Sequence, residues 1–81
     1  MIWDVEFSQE ASNYAIDSLP YNETVLNEIE ALAFSENGLP REGVYQLLGD
    51  WCVWDIANHT VVYEKTIALR HIYIWLIKPM E

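Results

Sequence analysis

In the second half of the chain, apolar and polar residues alternate as they do in β-strands with one buried face. Two short loops, Gly49-Asp50 and Asn58-His59, interrupt this alternation. Loops of two residues that contain Gly or Asn favour the turns of β-hairpins, because those turns twist in the same sense as the strands. The pattern therefore predicts an antiparallel meander over residues 44–64. A further strand is expected over residues 72–77, buried on both faces or nearly so because the segment is continuously apolar.

The first half of the chain predicts one strand followed by two helices. Residues 1–7 alternate, with their aromatic and apolar side chains on one side. Ser8 is a suitable N-cap for a helix over residues 9–19, and apolar residues at helical spacing predict a second helix over 22–36. The resulting order, β-α-α-β-β-β(-β), indicates an α+β fold in which a two-helix hairpin packs on one face of a twisted antiparallel sheet. The length of the chain is that of a single domain, residues 1–81.

The charge balance narrows the classes of partner. The chain carries 13 acidic and 4 basic side chains, a net charge of -9. Binding to nucleic acid or to an anionic membrane surface depends on Lys and Arg, so neither is expected. The charge favours a basic protein partner, or it serves solubility alone. The longest apolar run is far shorter than the roughly 20 residues of a membrane helix, and no signal peptide is indicated, so the expected location is cytoplasmic.

The tryptophans indicate a second, uncovered face of the sheet. Trp51 and Trp54 have opposite parity on one strand, so one of them should point away from the helices. We expect Trp54 in the core and Trp51 on the open side, where exposed aromatic side chains mark interfaces. If Asp55 faced Glu64 across the second hairpin, the pair would invite a basic partner. The expected binding surface comprises Trp51, Val53, Asp55, Thr60, Val62 and Glu64.

Candidate catalytic groups are few. Cleavage of RNA needs a general acid, a general base and a cation near the developing charge. His59 and His71 are candidates for the first two roles, and Arg70 and Lys78 for the third. His59 is expected at an exposed turn corner and His71 at the start of a strand, so both favour a solvated structural role. The spacing of these residues matches no metal-ligand pattern, and Cys52 lies in an apolar run typical of a buried thiol, so neither a metal nor a cofactor is expected.

The order of these segments resembles the RelE/ParE superfamily of bacterial toxins. The similarity covers nearly the whole chain and rests on Trp3-x-Val5-x-Phe7-Ser8-x-Glu10-Ala11, the two-helix hairpin, Leu47-Leu48-Gly49-Asp50-x-Cys52-x-Trp54-x-Ile56, His59-x-Val61-Val62-Tyr63-Glu64 and the apolar last strand. The resemblance implies that the open face and its rim bind an antitoxin or a target. RelE-like members cleave mRNA on the ribosome with basic, Tyr or His side chains of that face, whereas ParE-like members poison DNA gyrase.

The basic positions of the family are not matched in this chain. On alignment of the two hairpins they fall at neutral or acidic residues, namely Gln46, Val53, Asp55, Ala57, Thr60 and a position near Met80. We therefore expect a toxin-system protein that acts through protein–protein binding on its open face. The expected partner is a cognate antitoxin or another basic protein that offers an amphipathic helix. Two alternatives stay open: a binding module of the same fold that has lost catalysis and self-associates as a homodimer, and an mRNA-cleaving ribonuclease with unconventional residues.

Overall fold

The computed structural model describes residues 2–17 and 23–80 of the chain. These described residues form two α-helices, one short 3₁₀ helix and five strands in the predicted order, so the α+β architecture is confirmed. In chain order these are β1 (Asp4–Phe7), α1 (Gln9–Asp17), α2 (Glu23–Leu32), β2 (Val44–Leu48), β3 (Trp51–Ile56), β4 (His59–Thr66), the 3₁₀ helix (Ile67–Leu69) and β5 (His71–Pro79).

The five strands form one sheet in the spatial order β1-β5-β4-β3-β2. Strands β2 to β5 pair antiparallel with their neighbours, as the meander predicts. The first strand pairs parallel with the last, so the sheet is mixed rather than wholly antiparallel. Because the helices intervene between β1 and the meander, β1 can return beside β5 in the parallel sense. The chain's first and last strands are thus neighbours, and β1 and β2 are the two edges.

The helices cover one face of this sheet and enclose the core. That core is built from one set of alternating side chains together with the apolar stripe of the helices. Its buried members are Trp3, Ala11, Val25, Ile29, Leu32, Cys52, Trp54, Val61, Tyr63, Ile72, Ile74 and Ile77. The described helices are too short and too polar to span a bilayer.

The helix boundaries agree with the sequence at the start of α1 and differ at the end of α2. The Ser8 hydroxyl accepts a hydrogen bond from the Ala11 backbone N–H at 3.1 Å, which is the predicted cap. The expected end of the first helix at residue 19 and the start of the second at 22 lie outside the described residues. The prediction that the second helix extends to residue 36 is wrong, because it ends at Leu32. The last carbonyls of this helix accept hydrogen bonds from the N–H groups three residues further along the chain. The Ser35 hydroxyl donates to the Leu32 carbonyl at 2.7 Å.

The loop after α2 is held under the sheet by the polar tips of three buried aromatic side chains. Trp3 donates from its indole to the carbonyl of residue 35, Tyr63 from its hydroxyl to that of residue 38, and Trp54 from its indole to that of residue 42. These bonds are 3.1, 2.8 and 2.8 Å long. Each aromatic residue therefore fills the core and also satisfies a loop carbonyl, which fixes the entry into β2.

The turn of the second hairpin lies one residue earlier than predicted. It is formed by Ala57 and Asn58, which both have positive φ, 50° and 61°. His59 pairs with Ile56 as the first residue of β4 and is fully buried, so the expectation of an exposed corner is wrong. The first hairpin turns at Gly49-Asp50, as predicted.

The open face of the sheet

The two faces of β3 and β4 divide as the sequence predicts. Trp54 and Tyr63 are completely buried under the helices, whereas Trp51 is 36% exposed on the other side. We use the name open face for the surface whose side chains point away from the helices. By register it comprises Asp4 and Glu6 on β1, Val44, Gln46 and Leu48 on β2, Trp51, Val53 and Asp55 on β3, Thr60, Val62, Glu64 and Thr66 on β4, and His71, Tyr73, Trp75, Leu76 and Lys78 on β5.

Four rings form a continuous row across this face, which we call the aromatic row: Trp51, Trp75, Tyr73 and His71. Trp51 and Trp75 are stacked, with ring centroids 5.6 Å apart and an interplanar angle of 30°. Trp75 meets Tyr73 edge-on at 4.6 Å, and Tyr73 lies 6.2 Å from the His71 ring. The row runs from β3 across β4 to β5 and continues along β5, so its shape is fixed by strands rather than by a loop.

A β-bulge in β5 brings Trp75 into the row. Tyr63 pairs with Ile74 and Val62 with Leu76, so Trp75 is an extra residue without a partner on β4. Two consecutive side chains, Trp75 and Leu76, therefore lie on the open face. The prediction that residues 72–77 are buried on both faces is wrong, since Trp75 is 42% exposed. The apolar run has no alternation that would assign its side chains to a face, so the sequence does not predict Trp75 and Tyr73 as site residues.

Carboxylates surround the aromatic row. Glu64 accepts a hydrogen bond from the Trp75 indole at 3.3 Å, and Glu6 pairs with His71 Nε2 at 3.1 Å. With Asp4 and Asp55, the open face carries four carboxylates among the described residues. The basic side chain that register places on this face is Lys78, opposite Thr60. The electrostatic potential of the surface is therefore negative around an apolar, aromatic centre.

The two acidic residues of the second hairpin do not face each other. Asp55 is opposite Thr60, whose hydroxyl donates to its carboxylate at 3.0 Å, and Glu64 is opposite Trp51. Repulsion across the hairpin is therefore absent. The acidic character of the face comes from carboxylates spread over three strands rather than from one close pair.

His59 lies on the side of the sheet opposite to the open face. Its Nδ1 is 2.8 Å from the Ala57 carbonyl, which can only accept, so this nitrogen carries a proton. In the neutral ring, Nε2 then accepts a hydrogen bond from the Tyr14 hydroxyl at 2.7 Å. Burial and these two bonds give His59 a role in joining α1 to β4.

The other candidate catalytic side chains are not brought together. Arg70 ends the 3₁₀ helix in the left-handed region at φ 50°, and its guanidinium lies 5.1 Å over the Trp3 ring. Lys78 and His71 lie at opposite ends of β5, which separates them by about 20 Å at the usual rise per residue. An acid, a base and a cation within reach of one phosphate are therefore not assembled from these four residues. The described residues also contain no group of three His, Cys, Asp or Glu side chains that could hold a metal ion.

An apolar recess lies away from the open face. It has a volume of about 360 Å³ and opens between the helices and β1. It is lined by Val5, Phe7, Ala15, Leu26, Ile29, Glu30 and Ala33. Such a lining offers contact area but no acid–base pair. The open face, by contrast, is a flat recognition surface with exposed rings.

Comparison with solved structures identifies the fold. The crystal structure of the toxin–antitoxin complex RelBE2 from Mycobacterium tuberculosis matches with a TM-score of 0.63 and 13% sequence identity, over 98% of this chain and 99% of that one. At this identity the likeness concerns the fold, which is RelE-like. No family model matches the sequence, and a search of curated proteins finds no significant match.

Proposed function

We propose, with the RelE-like fold as the premise, that this chain is the toxin-type member of a toxin–antitoxin system and acts by binding a protein through its open face. The observation that carries the proposal is the aromatic row surrounded by carboxylates. A partner fits this surface if it offers an apolar stripe for the rings and Lys or Arg along its borders. An amphipathic helix of an antitoxin has that form.

The positions of the basic side chains favour binding over catalysis. Arg41 forms a bidentate pair with Glu28 on α2, and the Lys65 ammonium donates to the Asn37 carbonyl on the helix side. Arg70 lies over Trp3. This leaves Lys78 on the open face, and one lysine at its edge is too little to stabilise the charge that develops during phosphodiester cleavage.

A growth assay tests the toxin role. Induced expression in a bacterial host should arrest growth, and co-expression of a small basic or helix-tailed protein encoded beside the gene should restore it. Absence of arrest in cells that contain soluble protein would instead favour the catalytically lost binding module. Ribosomes incubated with the purified chain should keep their mRNA intact, and cleavage at defined sites would establish the ribonuclease alternative.

The binding surface is tested with designed helical peptides. A peptide with an apolar stripe bordered by Lys and Arg should bind, whereas the same stripe bordered by Glu should not. A Trp at the centre of an interface typically contributes about 2 kcal/mol or more. Trp51→Ala should therefore weaken binding by at least about thirtyfold. Ile67→Ala, at an exposed apolar residue outside the open face, should leave the affinity unchanged.

A further inference from the structure

The edge strand β2 lacks the features that normally keep a sheet edge from pairing. Proteins protect edges with short strands, charged side chains, prolines or bulges. The opposite edge, β1, has four residues and carries Asp4 and Glu6. By contrast, β2 has the sequence VYQLL, with no charge and no proline, and all five of its residues are exposed. Its apolar side chains emerge on both faces, with Val44 73%, Leu48 55%, Leu47 46% and Tyr45 40% exposed.

The hydrogen-bonding groups of β2 point outwards at two residues. In a hairpin with a two-residue loop, the two residues that flank the loop form a hydrogen-bonded pair. Hydrogen-bonded and non-hydrogen-bonded pairs then alternate along the strands. Leu48 pairs with Trp51 across Gly49-Asp50, so residues 44, 46 and 48 bond to β3. Tyr45 and Leu47 therefore present their N–H and C=O groups to the free edge.

We infer that β2 pairs with β2 of a second copy of this chain, antiparallel and with Gln46 on the two-fold axis. In this register Tyr45 of one copy faces Leu47 of the other, so the two residues with outward-pointing groups bond to each other. Val44 faces Leu48 on the open face, and the two Gln46 side chains meet. The sequence VYQLL is thus self-complementary about its centre, with apolar opposite apolar and amide opposite amide on the matching faces.

Other registers satisfy fewer of these groups. A shift by one residue along either strand would place outward-pointing groups opposite groups already bonded to β3. A shift by two would lose part of the overlap and would leave Tyr45 or Leu47 opposite a glycine. Because β2 itself is neutral, the contact brings no like charges together between two chains that each have a net charge of -9. The pairing would join two five-stranded sheets into one of ten strands and bring the two open faces to the same side.

Cysteine cross-linking tests the register directly. Residues of a non-hydrogen-bonded antiparallel pair lie about 4.5 Å apart at Cα, within the range of a disulfide. Gln46→Cys should therefore give a disulfide-linked dimer under mild oxidation. The matched control is Val44→Cys on the same exposed face, because the two copies of residue 44 would be about 13 Å apart and out of reach. Cys52 is buried and its pKa is raised by that burial, so it should contribute no cross-link. Equal yields for the two variants would overturn the register.

The natural chain tests the association itself. Light scattering after gel filtration should give twice the 9.5 kDa of one chain. Leu47→Lys should give the single-chain mass, because a lysine on an edge strand opposes pairing. Ile67→Lys, at another exposed apolar residue, should stay dimeric. Circular dichroism should show both variants folded, since both sites are exposed. The proposal would be overturned if the natural chain is monomeric, including the case in which it pairs only after a partner is added. It would also be overturned if Leu47→Lys remains a dimer.

Discussion

Truncation of the two tryptophans on β3 should have very different effects on stability. Trp54 is fully buried, lies 6.4 Å from the Tyr63 ring and donates to the Glu42 carbonyl. Replacement of such a side chain by Ala typically costs about 3–5 kcal/mol. Trp51 is 36% exposed, so its truncation forfeits less buried area than that of Trp54, together with a stack on Trp75 worth about 0.5–1.5 kcal/mol beyond that area. A chain of this size has a total stability of roughly 4–12 kcal/mol, so Trp54→Ala removes much of it.

Urea unfolding followed by far-ultraviolet circular dichroism measures the difference without relying on tryptophan fluorescence. With a slope of about 1.5 kcal/mol per M, Trp54→Ala should lower the midpoint by about 2–3 M or leave the chain unfolded in buffer. Trp51→Ala should lower the midpoint by clearly less than Trp54→Ala does, because Trp51 is partly exposed. Equal losses in the two variants, or a larger loss for Trp51→Ala, would refute the assignment of the two faces.

Three further outcomes are expected. Gly43→Ala should destabilise the fold more than Gly49→Ala, as measured by thermal melting. Both glycines have positive φ, but a methyl group at residue 43 would collide with the Asp55 carbonyl, whereas the space beside residue 49 is empty. The hydrogen bonds from Arg41 hold the pKa of Glu28 below its usual value. The stability that this pair contributes should therefore be fully present above the ordinary pKa of a glutamate, and it should be lost as the pH falls through the lowered pKa of Glu28. Arg41→Met should remove that part of the acid dependence in urea titrations at successive pH values. RNA should bind with no better than micromolar affinity at about 0.15 M salt in an anisotropy titration, because net charge -9 repels phosphate.

Local turn chemistry and periodicity predicted most of the fold. The alternation around Gly49-Asp50 gave the pairing of β2 with β3, and Ser8 gave the start of α1. That Trp51 and Trp54 lie on opposite faces followed from parity, because side chains of successive strand residues point to opposite faces. Each of these features depends on a few residues that are neighbours in the chain, which is why it can be predicted from the sequence.

The predictions were wrong where tertiary packing, rather than local sequence, selects one of several possible local structures. Asn58 readily adopts positive φ and Ala57 does not, so the sequence favoured a turn at residues 58–59. The register that places Val61 opposite Trp54 in the core instead requires the turn at 57–58, and burial of those side chains outweighs the strain at one alanine. For Trp75, a continuous apolar run left its face undetermined, and the aromatic row was missed for that reason.

The bulge at Trp75 has a consequence for how this surface can vary in length. On either side of it, Ile74 and Ile77 point into the core, and they would do so in an uninterrupted ladder if Trp75 were deleted. Deletion of Leu76 would restore the same alternation with Trp75 in its place, whereas deletion of Ile77 would remove a core side chain. One insertion therefore adds an indole to the surface and leaves the interior in phase. Two chains that differ by this residue alone would share a core, but each would present a different surface to its partner.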